Sequence, residues 1–138
     1  MDFEEARIKA IKYLGISKKT ESEVREKLVL SNCDAEIAEQ VIEYLKELNY
    51  INDNDYVDAY IRQNMRLFKF SIFEIKQKLL QKGIKKYIIE EKIEVLREND
   101  YESKVVEKLK GSKLKNMDEL KMKQYLYKRG FRVDIDNY

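Results

Sequence analysis

One segment occurs three times in this 138-residue chain, and it restricts the fold more than any other feature of the sequence. Ser71 to Ile84 reads SIFEIKQKLLQKGI; 51 residues earlier the chain reads TESEVREKLVLSNC, and 47 residues later DELKMKQYLYKRGF. Each copy opens on a small capping residue (Thr20, Ser71, Asp118), with Glu23, Glu74 or Lys121 three positions on. The first two copies carry a capping box, in which the hydroxyl takes an unsatisfied amide of the first turn and the glutamate reaches back to the cap. Apolar positions follow at helical spacing: Val24 and Leu28, Ile75 and Leu79, Met122 and Leu126. Each copy stops alike, at Asn32, Gly83 or Gly130, residues that tolerate a left-handed backbone, followed by an apolar Cys33, Ile84 or Phe131 able to fold back on the last turn. A chain written this way is a tandem helical array.

The repeat divides the chain into three-helix units at 1–51, 52–100 and 101–138. In the first, Phe3 to Gly15 carries a stripe of Ala6, Ala10 and Leu14 joined by Ile11, with Gly15 as the expected stop. Asp34 is expected to cap a third helix striped by Ile37, Val41, Ile42, Leu45 and Leu48. The second unit opens at Asn52 or Asp53, with Tyr56, Val57, Tyr60, Ile61, Met65 and Phe68 on one side of a helix reaching about Leu67. After the recurring helix comes Tyr87 to Glu98, striped by Ile88, Ile89, Ile93 and Leu96. The third unit has a helix from Tyr101 to Leu109, a basic linker from Lys110 to Asn116 and the last copy. Only RVDIDNY follows Phe131, so this unit is expected to be truncated or frayed at its end.

No proline, four glycines and 39% charged residues suit solvated helices joined by short turns. No segment is apolar for long enough to span a bilayer, and nothing at the N-terminus resembles a secretory signal. The lone Cys33 is expected to be a packing residue and fits a reducing, cytoplasmic setting. Without histidine there is no histidine triad and no imidazole ligand; without a glycine-rich loop there is no phosphate cradle, so neither catalysis nor a metal or other cofactor is expected. Charge is uneven: residues 1–52 hold 8 Lys+Arg against 11 Asp+Glu, 53–102 hold 10 against 10, and 103–138 hold 10 against 5. A basic C-terminal third favours a polyanion or an acidic protein surface.

The junction LNYINDNDYVDAYIR, Leu48 to Arg62, resembles the most recognisable segment of the RecX family of recombinase regulators through Tyr50, Asn52, Asp53, Tyr56, Ala59, Tyr60 and Arg62. ARIKAIKYL, TESEVREKL, LLQKGI and LYKRGF resemble further family motifs in the same order, including Gly83, Gly130 and Phe131. The chain departs at Phe68 to Phe70, where the family often has glycine and this sequence has FKF. The resemblance implies a curved, elongated all-α array of three-helix repeats that binds the RecA filament on DNA. It further implies that the protein dampens recombinase, ATPase and co-protease activity without chemistry of its own, in homologous recombination, DNA repair and the SOS response, and that it acts as a monomer away from membranes.

Within that reading, Arg62, Arg66 and Lys69 recur along one helix face offset from the apolar stripe. Lys76, Lys78 and Lys82, then Lys121, Lys123, Lys128 and Arg129, continue the basic character. Either a solvated face or contact with phosphate or an acidic filament surface accounts for them. Tyr50, Tyr56 and Tyr60 read most simply as packing residues, and Asp53 as a first-turn acid. A helix-turn-helix DNA-binding module and a protein scaffold are the alternatives. The first is weakened because its reading helix, Ala35 to Leu48, would present Glu36, Glu39, Glu43 and Glu47 to phosphates.

Overall fold

The computed structural model describes residues 1–132, and every regular element among them is helical. Three helices, α1 (Phe3–Ile16), α2 (Glu21–Leu30) and α3 (Ala35–Glu47), enclose a first core of Ala6, Ala10, Val24, Leu28, Cys33, Ala38, Val41, Ile42, Leu45 and Ile51. Then come α4 (Asp53–Leu67), α5 (Ile72–Gln81), α6 (Lys86–Lys92), α7 (Glu94–Glu98), α8 (Tyr101–Lys110) and α9 (Glu119–Lys128). These share one continuous second core, from Val57 to Phe131. The expectation of a truncated or frayed end after Phe131 falls mostly on 133–138, outside the described residues.

The three copies start and stop where their residues dictate. In α2 and α5 both halves of the capping box are made: Thr20 and Ser71 accept from the amides of Glu23 and Glu74, whose carboxylates accept from the cap amides at 3.0 and 2.9 Å. In α9 the Asp118 carboxylate takes the Lys121 amide at 2.9 Å. Asn32, Gly83 and Gly130 all have positive φ, and Cys33, Ile84 and Phe131 donate back to the carbonyls of Leu28, Leu79 and Leu126. Burial pushes the Cys33 thiol above its ordinary value, as suits a packing residue.

Each copy is also locked to the next. The Thr20 hydroxyl donates to the carbonyl of Lys82, the C-cap of α5, at 2.7 Å, and the Ser71 hydroxyl to the carbonyl of Arg129, the C-cap of α9, at 2.6 Å. The glutamate of each capping box pairs with the same C-cap residue, Glu23 with Lys82 at 3.3 Å and Glu74 with Arg129 at 2.8 Å. First-turn amides are taken across the junctions as well, Glu21 N–H by Asp53 at 2.9 Å and Ile72 N–H by Glu102 at 2.8 Å. The recurring helices therefore lie in a row, the C-terminal turn of α5 on the N-terminal turn of α2 and that of α9 on α5. The glycines permit this approach: a Cβ on Gly83 would lie 2.2 Å from Ser22 Oγ, and one on Gly130 2.6 Å from Phe73 Cβ.

Several local expectations are corrected. Gly15 does not end α1, which runs to Ile16 and stops where Ser17 is extended (φ −165°); a helical glycine weakens a helix without terminating it. Asp34 stands at the N-cap of α3, but its side chain makes no cap hydrogen bond. Ile11 and Leu48 face solvent. The single helix expected from Tyr87 to Glu98 is broken at Ile93, where Leu96 N–H bonds Ile93 O at 2.9 Å in a tighter turn that keeps both residues buried.

Substituting Gly83→Val should cost about 1–2 kcal/mol or more through the left-handed backbone and the clash with Ser22, read as a drop in denaturant midpoint. Ser71→Ala removes a cap and strands the Arg129 carbonyl, so it should destabilise by roughly 2 kcal/mol, against about 1 for Asp118→Ala, a cap with no hydroxyl to donate across a junction. Equal losses in a urea titration would refute the cross-junction role of the hydroxyl.

Candidate functional site

The loop between α4 and α5 gathers a group of cations that no acid neutralises among the described residues. Phe68 ends α4 in the left-handed region (φ 48°), at the place where the resembling family often has glycine. A side chain pays about 1–2 kcal/mol there, and stacking of Phe68 on Tyr101 (centroids 5.9 Å apart) supplies compensating packing. Tyr101 is wholly buried, and its hydroxyl donates to Phe70 O at 2.6 Å, pinning the other end of the loop. Burial drives the Tyr101 phenol far above its ordinary value, so it stays a donor.

Around this pinned loop stand Lys69 and Lys78, with ammonium groups 5.3 and 4.5 Å from the Phe70 ring centroid. Lys108 reaches across from α8 to Leu67 O at 2.7 Å. Arg129 donates to Lys69 O at 2.7 Å and lies 5.6 Å from the Tyr125 ring, over which Lys113 also sits at 5.7 Å. Lys121 borders the same shallow depression as Lys113. Among the described residues, only Arg129 in this band has a carboxylate partner, Glu74; Lys69, Lys78, Lys108, Lys113 and Lys121 have none. The aromatic rings beneath are partly buried and covered by the cations, so the band offers charge rather than stacking faces.

The candidate residues divide accordingly. Lys69 and Arg129 lie in the band and Lys121 at its edge, while Arg66 is exposed in the last turn of α4 leading into it. Arg62 instead borders a groove with Asp58, Glu91, Glu94 and Glu98. Lys76 pairs with Glu90 at 2.7 Å, Lys82 with Glu23, and Lys123 with Glu119 at 3.3 Å, whereas Lys128 is exposed. Lys82 and Arg129 thus act within the chain, closing the two junctions. Tyr56 and Tyr60 pack against the second core and Ala59 is half-buried beside them, but Tyr50 is 62% exposed and packs in neither core. Asp53 is the first residue of α4 and also the acceptor for α2, and burial raises its pKa despite that bond. Lys108 and Lys113 escape the sequence reading because only folding brings them to the loop. Among the described residues, no group of three or more His, Cys, Asp or Glu could hold a metal ion, and no helix is long and apolar enough to cross a membrane.

The Glu74–Arg129 pair behind the band titrates. Burial pushes the Glu74 carboxyl up, but the Arg129 guanidinium and the hydrogen bonds from Ser71 outweigh it and hold the carboxyl below its ordinary value. Its contribution to stability is therefore complete above the unfolded-state carboxylate pKa and is lost as pH falls through the lower folded value. Melting curves over an acid pH series should show Glu74→Gln less stable than the parent near neutrality, with the gap closing on acidification; a pH-independent gap would refute the assignment.

Comparison with known proteins places these features. Residues 6–45 match the family described as "RecX, first three-helix domain", and residues 52–93 match "RecX, second three-helix domain". The "Regulatory protein RecX" of Streptococcus agalactiae serotype III is 41% identical over 97 residues, covering 70% of this chain and 38% of that protein. That of Clostridium botulinum (strain Eklund 17B / Type B) is 31% identical over 134 residues, covering 91% of this chain and 62% of that protein. The matches thus span only 38% to 62% of the length of these two relatives. The crystal structure of RecX from Lactobacillus salivarius superimposes with a TM-score of 0.83 at 27% identity, covering 99% of this chain and 92% of that one. Another, "Crystal structure of regulatory protein RecX", shares the fold with a TM-score of 0.82 at 24% identity over 95% of this chain and 69% of that one.

Proposed function

This chain belongs to the RecX family, and from that premise we propose that it binds the RecA filament on DNA and lowers its recombinase, ATPase and co-protease activity by occupancy, without chemistry of its own. The observation that carries the contact is the band of carboxylate-free cations around the α4–α5 loop. Lysine is depleted at protein–protein interfaces, whereas phosphate contacts are made mainly by lysine and arginine. The band therefore reads as the part that meets the DNA backbone, single-stranded or duplex, inside such a filament. Within the band the rings of Phe70 and Tyr125 are covered by cations, which favours backbone contact without base readout there. A helix-turn-helix reading gains nothing here, since Glu36, Glu39, Glu43 and Glu47 all lie exposed on α3.

The test adds the purified chain to RecA assembled on single-stranded DNA and follows ATP hydrolysis. A saturable, stoichiometric decrease is expected, shifted to higher concentrations by the Lys69→Glu/Lys78→Glu pair. The same pair should lower the slope of log affinity for DNA against log salt by about 2, one for each phosphate that the parent lysines neutralise. Unchanged hydrolysis at saturating protein would overturn the proposal.

A further inference from the structure

A different surface runs along the opposite flank of α5 from Lys78. Phe73 and Leu80 are seven residues apart, two helical turns, so they share one face; Leu120 and Tyr127 are their counterparts on α9. All four are large, apolar and exposed, at 49%, 43%, 67% and 74%. Because the C-terminal turn of α9 abuts the N-terminal turn of α5, they follow one another as Leu80, Phe73, Tyr127, Leu120 along the row. The join is direct: Phe73 packs on Gly130, and Arg132 lies 5.5 Å from the Tyr127 ring while lining, with Phe73, a cleft of about 200 Å³.

The equivalent cleft at the first junction provides an internal comparison. It sets Glu21 and Asp53 against Lys46 and Lys85, and the residue matching Phe73 is Ser22. At the second junction Ile72 replaces Glu21, Arg97 replaces Lys46 and Arg132 replaces Lys85. The remaining acid, Glu102, is engaged at both oxygens by the amides of Ile72 and Arg132, at 2.8 and 3.1 Å. Lys76 and Arg97 on its rim are paired with Glu90 and Glu94. Arg132, with Lys121 and Lys128 on α9, has no carboxylate partner among the described residues. The same junction geometry thus carries a balanced polar lining once, and an apolar face flanked by unpaired cations the second time.

We infer that the Leu80–Phe73–Tyr127–Leu120 stripe is the docking surface for an acidic amphipathic helix of a protein partner. Apolar side chains of that helix cover Phe73, Tyr127 and Leu120, and its carboxylates meet Lys128 and Arg132. Charge complementarity selects the acidic segment, and the aliphatic members select protein over nucleic acid, since phosphates gain nothing by covering leucine. The inference rests on the functional reading above, in which the partner is the recombinase protomer, and it assigns protein contact to one flank of α5 and DNA contact to the other.

The test uses Leu120→Ser/Tyr127→Ser, both sites being exposed enough to leave the melting temperature unchanged. Affinity is measured for RecA filaments on single-stranded DNA and, separately, for a labelled oligothymidylate. Filament affinity should fall on the order of tenfold or more, as loss of an aromatic anchor requires, with oligothymidylate affinity unchanged. Undiminished filament binding by the variant overturns the docking surface alone. Equal loss for both probes overturns it in favour of a nucleic-acid surface, and a parent chain that does not bind the filament overturns the functional reading and this inference together.

Discussion

The structure depends on one hydroxyl used twice. At Thr20 and Ser71 the side-chain oxygen accepts from an amide of its own helix and donates its proton to the last carbonyl of the next copy. Helix ends leave amides and carbonyls without partners, and an array of short helices has many such ends. Meeting an N-terminus with a C-terminus satisfies both at once. The capping-box glutamate adds charge to the join, since it faces a cation at the neighbouring C-cap, Lys82 or Arg129. Serine stands at that place in the first copy, Ser31, where no earlier copy supplies an acid, and its hydroxyl turns back to Lys27 O. A cation at the C-cap is thus tied to the join and not to the helix itself.

This explains which parts of the fold are legible in the sequence. Starts and stops are written locally, in a hydroxyl, an acid three residues on and a left-handed residue after the last turn, so they can be read from a single strand of text. The partner of each cap lies 62 or 58 residues away and has no local signal. For the same reason Lys82 and Arg129 look like surface cations until the copies are stacked. Phe68 is the opposite failure: local preference argues against a left-handed phenylalanine, and only Tyr101, far along the chain and buried, makes it tenable. Tyr50 sits in the most recognisable motif yet faces solvent, so a recognisable position need not be a packing one.

The joins also sort the charge. A count of basic residues makes the chain beyond α4 a broad positive surface, but Lys76, Lys82, Lys123 and Arg129 each have an acid within 4 Å. The more exposed of these pairs contribute little to stability, yet all of them weaken the long-range field that would attract an anion. One group of cations left uncompensated among the described residues stands where α4, α5, α8 and α9 meet. The residues that hold the array together are thereby separated from those left to act outside it.

That separation has a consequence for α5, the middle helix of the row. Its core face, Ile72, Ile75 and Leu79, is committed to the second core, and both its ends are committed to neighbours. Two flanks are left, one bearing Lys78 beside the pinned Phe68–Phe70 loop and the other bearing Phe73 and Leu80. A helix fixed at both ends holds those flanks in a constant relation, and rotating it about its axis would break the joins. Whatever meets one flank is therefore placed at a set angle to whatever meets the other.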